Sequence, residues 1–199
     1  MTSQPERIEL SLPPWLGPFL AGVDVLAEVS DRMAMVIEAA RRNVAEGGGP
    51  FAAAVFERDS GRLVALGVNL VIAEGLSVLH AEIVALCLAQ RRLGSYDLGR
   101  AGLAAHELVT TTAPCAMCLG AIPWSGVRRL VVGAREEDAR AVGFDEGAKP
   151  ADWQGALASR GITTVEDVLR PQAAQVLQIY ARAGGIIYNP QRESQDPTP

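Results

Sequence analysis

Histidine and cysteine are scarce in this 199-residue chain, which has two of the first and three of the second. So few cysteines, two of them in a C-x-x-C pair, exclude the disulfide framework of a small secreted domain and point to a reducing cytoplasm. Long apolar runs are missing as well. The most apolar early stretch, "PPWLGPFLAGVDVLAEV" at 13–29, holds three prolines, Asp24 and Glu28 and follows no basic region, so it reads as neither a signal peptide nor a membrane span. Positive charge is short too. The net charge is −5, and the only adjacent arginine pairs are Arg41-Arg42, Arg91-Arg92 and Arg128-Arg129, each where a helix or strand would show a solvated face. Nucleic acid is therefore disfavoured as a partner.

What is present suits one folded domain. The chain is 49% hydrophobic and 21% charged, with glycine and proline spread along it, and it is long enough for a single substantial core. Residues 1–29 read as an N-terminal extension of short extended pieces, broken by Pro13, Pro14, Gly17 and Pro18. A regular domain follows over 30–190, and 191–199, "QRESQDPTP", has the composition of a disordered tail.

Within the domain a Ser30-Asp31 start and a "GGG" stop at 47–49 bound a helix on which Met33, Val36, Ile37, Ala40 and Val44 recur. Two antiparallel strands, 50–57 and 62–69, flank the turn "RDSG". A helix at 80–93 carries Ile83, Leu86, Cys87 and Leu93 on one stripe, which makes Cys87 buried filler. A strand at 107–112, a short helix at 115–126 disturbed by Pro123, and a strand at 128–134 complete the order α, β, β, α, β, α, β. A Gly-rich acidic loop at 141–150 and shorter mixed elements lead to a helix from Pro171 to about 183.

Three of the five histidines and cysteines fall in two compact motifs, "HAE" at 80–82 and "PCAMC" at 114–118. A catalytic zinc takes three nitrogen or thiolate ligands and keeps one position open, and His80, Cys115 and Cys118 supply that count. Cys115 and Cys118 lie one helical turn apart, and a helix N-terminus favours their thiolates. Glu82 diverges from His80 by roughly 200° at ~100° per residue, which sets it beside a metal rather than on it, as a proton carrier requires. Read separately, each motif points away from a metal more often than toward one: C-x-x-C is also the pattern of a redox pair, and a histidine at a helix start is usually structural. Together, H-x-E followed about 30 residues later by P-C-x-x-C is the signature of zinc base deaminases.

On these residues, together with "GPFAAAVFERDSG", "GFDEG" and "IIYN", the chain resembles the cytidine deaminase superfamily, and within it the bacterial guanine deaminases, from about Arg32 to Asn189. The resemblance implies an α/β fold, a three-layer α/β/α sandwich with a five-stranded mixed sheet, and one Zn²⁺ per chain held by His80, Cys115 and Cys118. It implies Glu82 as proton shuttle, the Ala81 amide as oxyanion donor, Asn69 on the purine edge and Glu146 as a second carboxylate for the departing amino group, with Asp145 the competing candidate. Phe51 and Trp124 are each divided between pocket wall and ordinary core. The last element, "GGIIYNP" at 184–190, is too apolar for a free tail. By the same resemblance it points to a homodimer in which the C-terminal segment is exchanged and Tyr188 closes the partner's pocket, or else to a segment that packs on its own chain.

Guanine to xanthine plus ammonia is the reaction implied. The rivals are the same chemistry on ammeline, guanosine or cytosine; a tRNA adenosine deaminase, which would need a basic groove; and a binding module with a structural zinc, which would leave Glu82 without a use.

Overall fold

The structure, a computed structural model, describes residues 5–189. A five-stranded sheet runs in the order β2-β1-β3-β4-β5, from β1 (Ala52–Glu57), β2 (Leu63–Val68), β3 (His106–Thr112), β4 (Arg129–Ala134) and β5 (Thr163–Val165). β1 pairs antiparallel with β2 and β3, whereas β3–β4 and β4–β5 are parallel, so the sheet is mixed. Among the described residues eight helices accompany it: α1 (Leu16–Leu20), α2 (Val29–Ala45), α3 (Val71–Glu74), α4 (Ala81–Leu93), α5 (Ala116–Ser125), α6 (Glu136–Ala141), α7 (Trp153–Ala158) and α8 (Arg170–Arg182).

Side chains alternate across the sheet as the strand period demands. Ala52, Ala54 and Phe56 join a core with α2 and α8, while Ala53 and Val55 join a second core with α4, α5 and α7. The expected three layers follow. Small residues set the spacing on the second face: a Cβ at Gly67 would lie 2.4 Å from the Ala85 nitrogen and 2.6 Å from the Ala81 carbonyl, so glycine lets α4 lie close on β2.

Several expectations are corrected. The N-terminal stretch is more than extended pieces. Trp15 and Leu16 are buried, α1 carries Pro18 within a single turn, and Asp24 and Leu26 exchange backbone hydrogen bonds with the turn at Gly61–Leu63. Arg32 explains the docking. Its guanidinium donates to the carbonyls of Leu26, Ala27 and Arg58 and pairs with Glu107, which is itself fully buried and also paired with Arg129. Arg129 is thus bound to the interior, unlike a solvated strand face. Cys87 is exposed because the α4 stripe that packs is Ala81, Ala85 and Ala89 rather than the one through Cys87. As expected, α5 ends at Gly126, which lies in the left-handed region, and Pro123 is accommodated within the helix. The tail at 191–199 lies outside the described residues.

Candidate metal and base-binding site

The two motifs meet because each sits at a helix start on the same face of the sheet. His80 is the N-cap of α4 and Cys115 the N-cap of α5, both in extended backbone. Their ligand atoms and the Cys118 sulfur all lie within 4.8 Å of one another, and Cys115 Sγ is 3.5 Å from His80 Nδ1. The neighbouring Cys118 sulfur, and then the contact with His80, push Cys115 down to about 4, while the same neighbour and burial push Cys118 up. Burial opposes a charge on His80, but its hydrogen bond to Cys115 and the nearby carboxylates of Glu82 and Glu146 outweigh that, so its pKa is raised. Metal binding needs both sulfurs as thiolates and the imidazole neutral, so it releases protons from this cluster. One nitrogen and two sulfurs with room for a fourth position fit zinc.

Glu82, in the first turn of α4, points alongside this cluster. Its Oε2 accepts from the Cys118 thiol at 3.4 Å and its Oε1 from the Thr110 hydroxyl at 3.4 Å. Burial raises its pKa. The cluster opens into a cavity of about 340 Å³. Glu146 lines it too, 5% exposed, with burial first and the Cys115 charge second lifting its carboxyl to about 7. Asp145 also lines the cavity but is exposed, and its Oδ1 accepts from the Gly147 amide at 2.9 Å.

Asn69 lies across from them. Its Oδ1 accepts from the Val71 amide, which leaves Nδ2 buried and, among the described residues, without a partner. Asn43 holds it there by donating to the Asn69 and Gly49 carbonyls. Phe51 faces Phe144 edge-on at 4.9 Å, and Tyr188 packs 5.1 Å from Phe144 and 6.4 Å from the His80 ring. The Tyr188 hydroxyl is buried without a partner among the described residues. Within the single chain, Tyr188 therefore lies against the cavity of its own chain. Ala81 is buried as the first residue of α4. Trp124 is not brought in: it is 84% exposed and lines a shallow depression with Pro123 and Trp153.

Phe144, Thr110 and Thr112 are cavity or cavity-side residues that the sequence reading passes over. Phe144 stands immediately before Asp145 in "GFDEG", and its neighbourhood was the available signal. The threonines carry none, because "TTT" at 110–112 reads only as a strand.

Comparison with known proteins agrees with this geometry. The cytidine and deoxycytidylate deaminase zinc-binding region matches residues 27–134. A solved structure of guanine deaminase from Nitrosomonas europaea superposes with a TM-score of 0.87 at 48% identity, covering 91% of this chain and 100% of that one. The curated guanine deaminase of Bacillus subtilis (strain 168) is 36% identical over 99 residues, 50% of this chain and 59% of that protein. A tRNA-specific adenosine deaminase of Buchnera aphidicola is 40% identical over 77 residues, 39% of this chain and 48% of its own length. The matched stretch thus spans about half the length of these curated relatives. On the matched zinc-binding region, and on the mixed sheet that sets His80 and Cys115 at neighbouring helix starts, the chain belongs to the cytidine and deoxycytidylate deaminase family.

Proposed function

We propose that the protein hydrolyses guanine to xanthine and ammonia. The observation that carries this reading is the pair of buried carboxylates, Glu82 and Glu146, in one cavity beside the three ligand side chains, with an Asn69 Nδ2 that has no partner among the described residues. A purine offers a ring carbon bearing an amino group and ring nitrogens that an amide can bind. The similarity to the Nitrosomonas europaea guanine deaminase supports guanine over smaller rings.

Zinc held by His80, Cys115 and Cys118 supplies the Lewis acidity that lets water act as a nucleophile near neutral pH. Glu82 takes the proton that water gives up and passes it to the ring nitrogen beside the attacked carbon. Glu146 delivers a proton to the amino group, which leaves as ammonia. The Ala81 amide stabilises the charge that develops on the added oxygen. Asn69 Nδ2 donates to the base edge, Phe51 packs on the ring, and Tyr188, from the C-terminal segment, covers the cavity and keeps solvent from it.

The test is ammonia release by purified, zinc-loaded protein from guanine, guanosine, cytosine, adenine, cytidine and ammeline. Guanine turned over fastest supports the reading; preference for another compound, or none turned over, overturns it. We further propose a homodimer. Met117 and Trp124, seven residues apart and so on one side of α5, are 37% and 84% exposed, an apolar pair that a second copy would cover. A monomeric mass in solution would rule the dimer out. Among the described residues no helix is long and apolar enough to cross a membrane. The free thiols fit a reducing compartment, which we take to be the cytoplasm.

A further inference from the structure

Of the chain's 18 basic residues all but one are arginine, and the exception, Lys149, is not on the surface. Its side chain is 4% exposed. The ammonium donates to the Pro114 carbonyl at 2.9 Å, pairs with Glu136 of α6 at 2.6 Å, and lies 6.0 Å from the centre of the Trp153 ring. A compact ammonium with three donors suits such a corner, whereas a planar guanidinium carries its charge on a wider fork.

The partners matter because of where they stand in the chain. Pro114 immediately precedes Cys115, and Lys149 follows Glu146 by three residues. One side chain thus joins the loop carrying the second carboxylate to the start of the helix carrying the two cysteines. A backbone tie runs beside it, from the Ala116 amide to the Glu146 carbonyl at 2.9 Å. At Gly147, in the left-handed region, an added Cβ would lie 2.9 Å from the Ala116 Cβ, so the loop has no slack at this point. The far side of the loop is held by Asn189, which accepts from the Asp145 amide and donates to the Gly143 carbonyl.

We infer that Lys149 is a positioning residue that clamps the 144–150 loop to the Pro114 carbonyl and thereby fixes the Glu146 carboxylate relative to Cys115 and Cys118. The inference rests on the reading of Glu146 as the carboxylate that handles the departing amino group. A misplaced proton donor slows the chemical step more than it weakens substrate binding. Lys149→Met keeps the stem and removes the ammonium. With zinc content measured at each step, kcat and KM for guanine are compared in the unaltered protein, K149M, E146Q and the double variant. K149M should lower kcat at least about tenfold and change KM by less than about threefold. In the E146Q background it should cost less than about twofold, since the group it positions is already disabled. An equal loss in both backgrounds, or a kcat that falls in step with zinc content, would overturn the assignment.

A second arm keeps Lys149 in place and needs no turnover. Because the chain has one lysine, ¹³Cε-labelled lysine gives a single NMR signal from the zinc-loaded protein. That signal should shift in E146Q, and an unchanged position would show that the two side chains are not coupled. Read without substrate, it decides the coupling even where guanine is not the base turned over.

Discussion

Glu82 has two neighbours that keep it in place, the Cys118 thiol and the Thr110 hydroxyl, and one burden, its burial. Glu82→Gln preserves the size of the side chain and one accepting oxygen but cannot carry a proton. It should retain one zinc per chain and lose about 10² to 10⁴ in turnover, which metal analysis and ammonia release would read together. Glu146 and Asp145 are adjacent, yet only Glu146 is buried against the cavity, while Asp145 is exposed and caps the Gly147 amide. Glu146→Gln should therefore reduce guanine turnover far more than Asp145→Asn, and rate measurements giving the opposite ranking would move the second carboxylate by one position. At this scale the sequence was informative wherever chemistry restricts the residue type. His80, Cys115 and Cys118 converge because few residues bind zinc and these stand at helix starts. Trp124 and Cys87 were not legible, since an apolar side chain carries no mark of which face of a helix will be covered.

An element can matter through what it lacks. Gly67 in β2 leaves room for the α4 backbone, with Ala85 N and Ala81 O where a methyl group would sit. Gly67→Ala must push α4 outward or bend β2, and His80 and Glu82 ride on the first turn of that helix. Denaturant unfolding should show a loss of about 1–3 kcal/mol, and competition with a chelator should show weaker zinc binding. Unchanged zinc affinity would mean that the helix start is held independently of its packing on β2. The succession of strands and main helices along the chain follows from periodicity and turn residues, which is why the α, β, β, α, β, α, β order is found as expected, whereas the mixed five-stranded sheet came from the resemblance. The short helices α1 and α3 were hidden. Pro18 in α1 is admissible because a first turn leaves its amide unpaired in any case, and α3, at four residues, is too brief to show a period. The ion triad of Arg32, Glu107 and Arg129 joins residues far apart in sequence, so no local pattern announces it.

For the molecule as a whole, the end of the chain belongs to the site. Tyr188 packs on Phe144 beside His80, Asn189 ties the loop at Gly143–Asp145, and the Tyr180 hydroxyl donates to the Ile186 carbonyl. Deleting residues 184–199 should cut turnover by about 10² or more through a loosened, wetter cavity while leaving the sheet folded. Circular dichroism and ammonia release would separate the two, and a fully active truncated protein would show that the segment does not seal the pocket.

The sheet order also sets a sequence of events. β2 leads to α4 and β3 leads to α5, but β2 and β3 are not neighbours: β1 lies between them and pairs with both. The helices that carry His80 and Cys115 are joined through that middle strand, so we expect the metal site to be complete only when the antiparallel half of the sheet has closed. Metal capture is then a clock for folding. In cobalt-substituted protein refolded from denaturant, the visible thiolate-to-metal absorbance should appear no earlier than the recovery of strand signal. A chelated chain should unfold at lower temperature than a loaded one, by mass action on a site that the unfolded chain does not have.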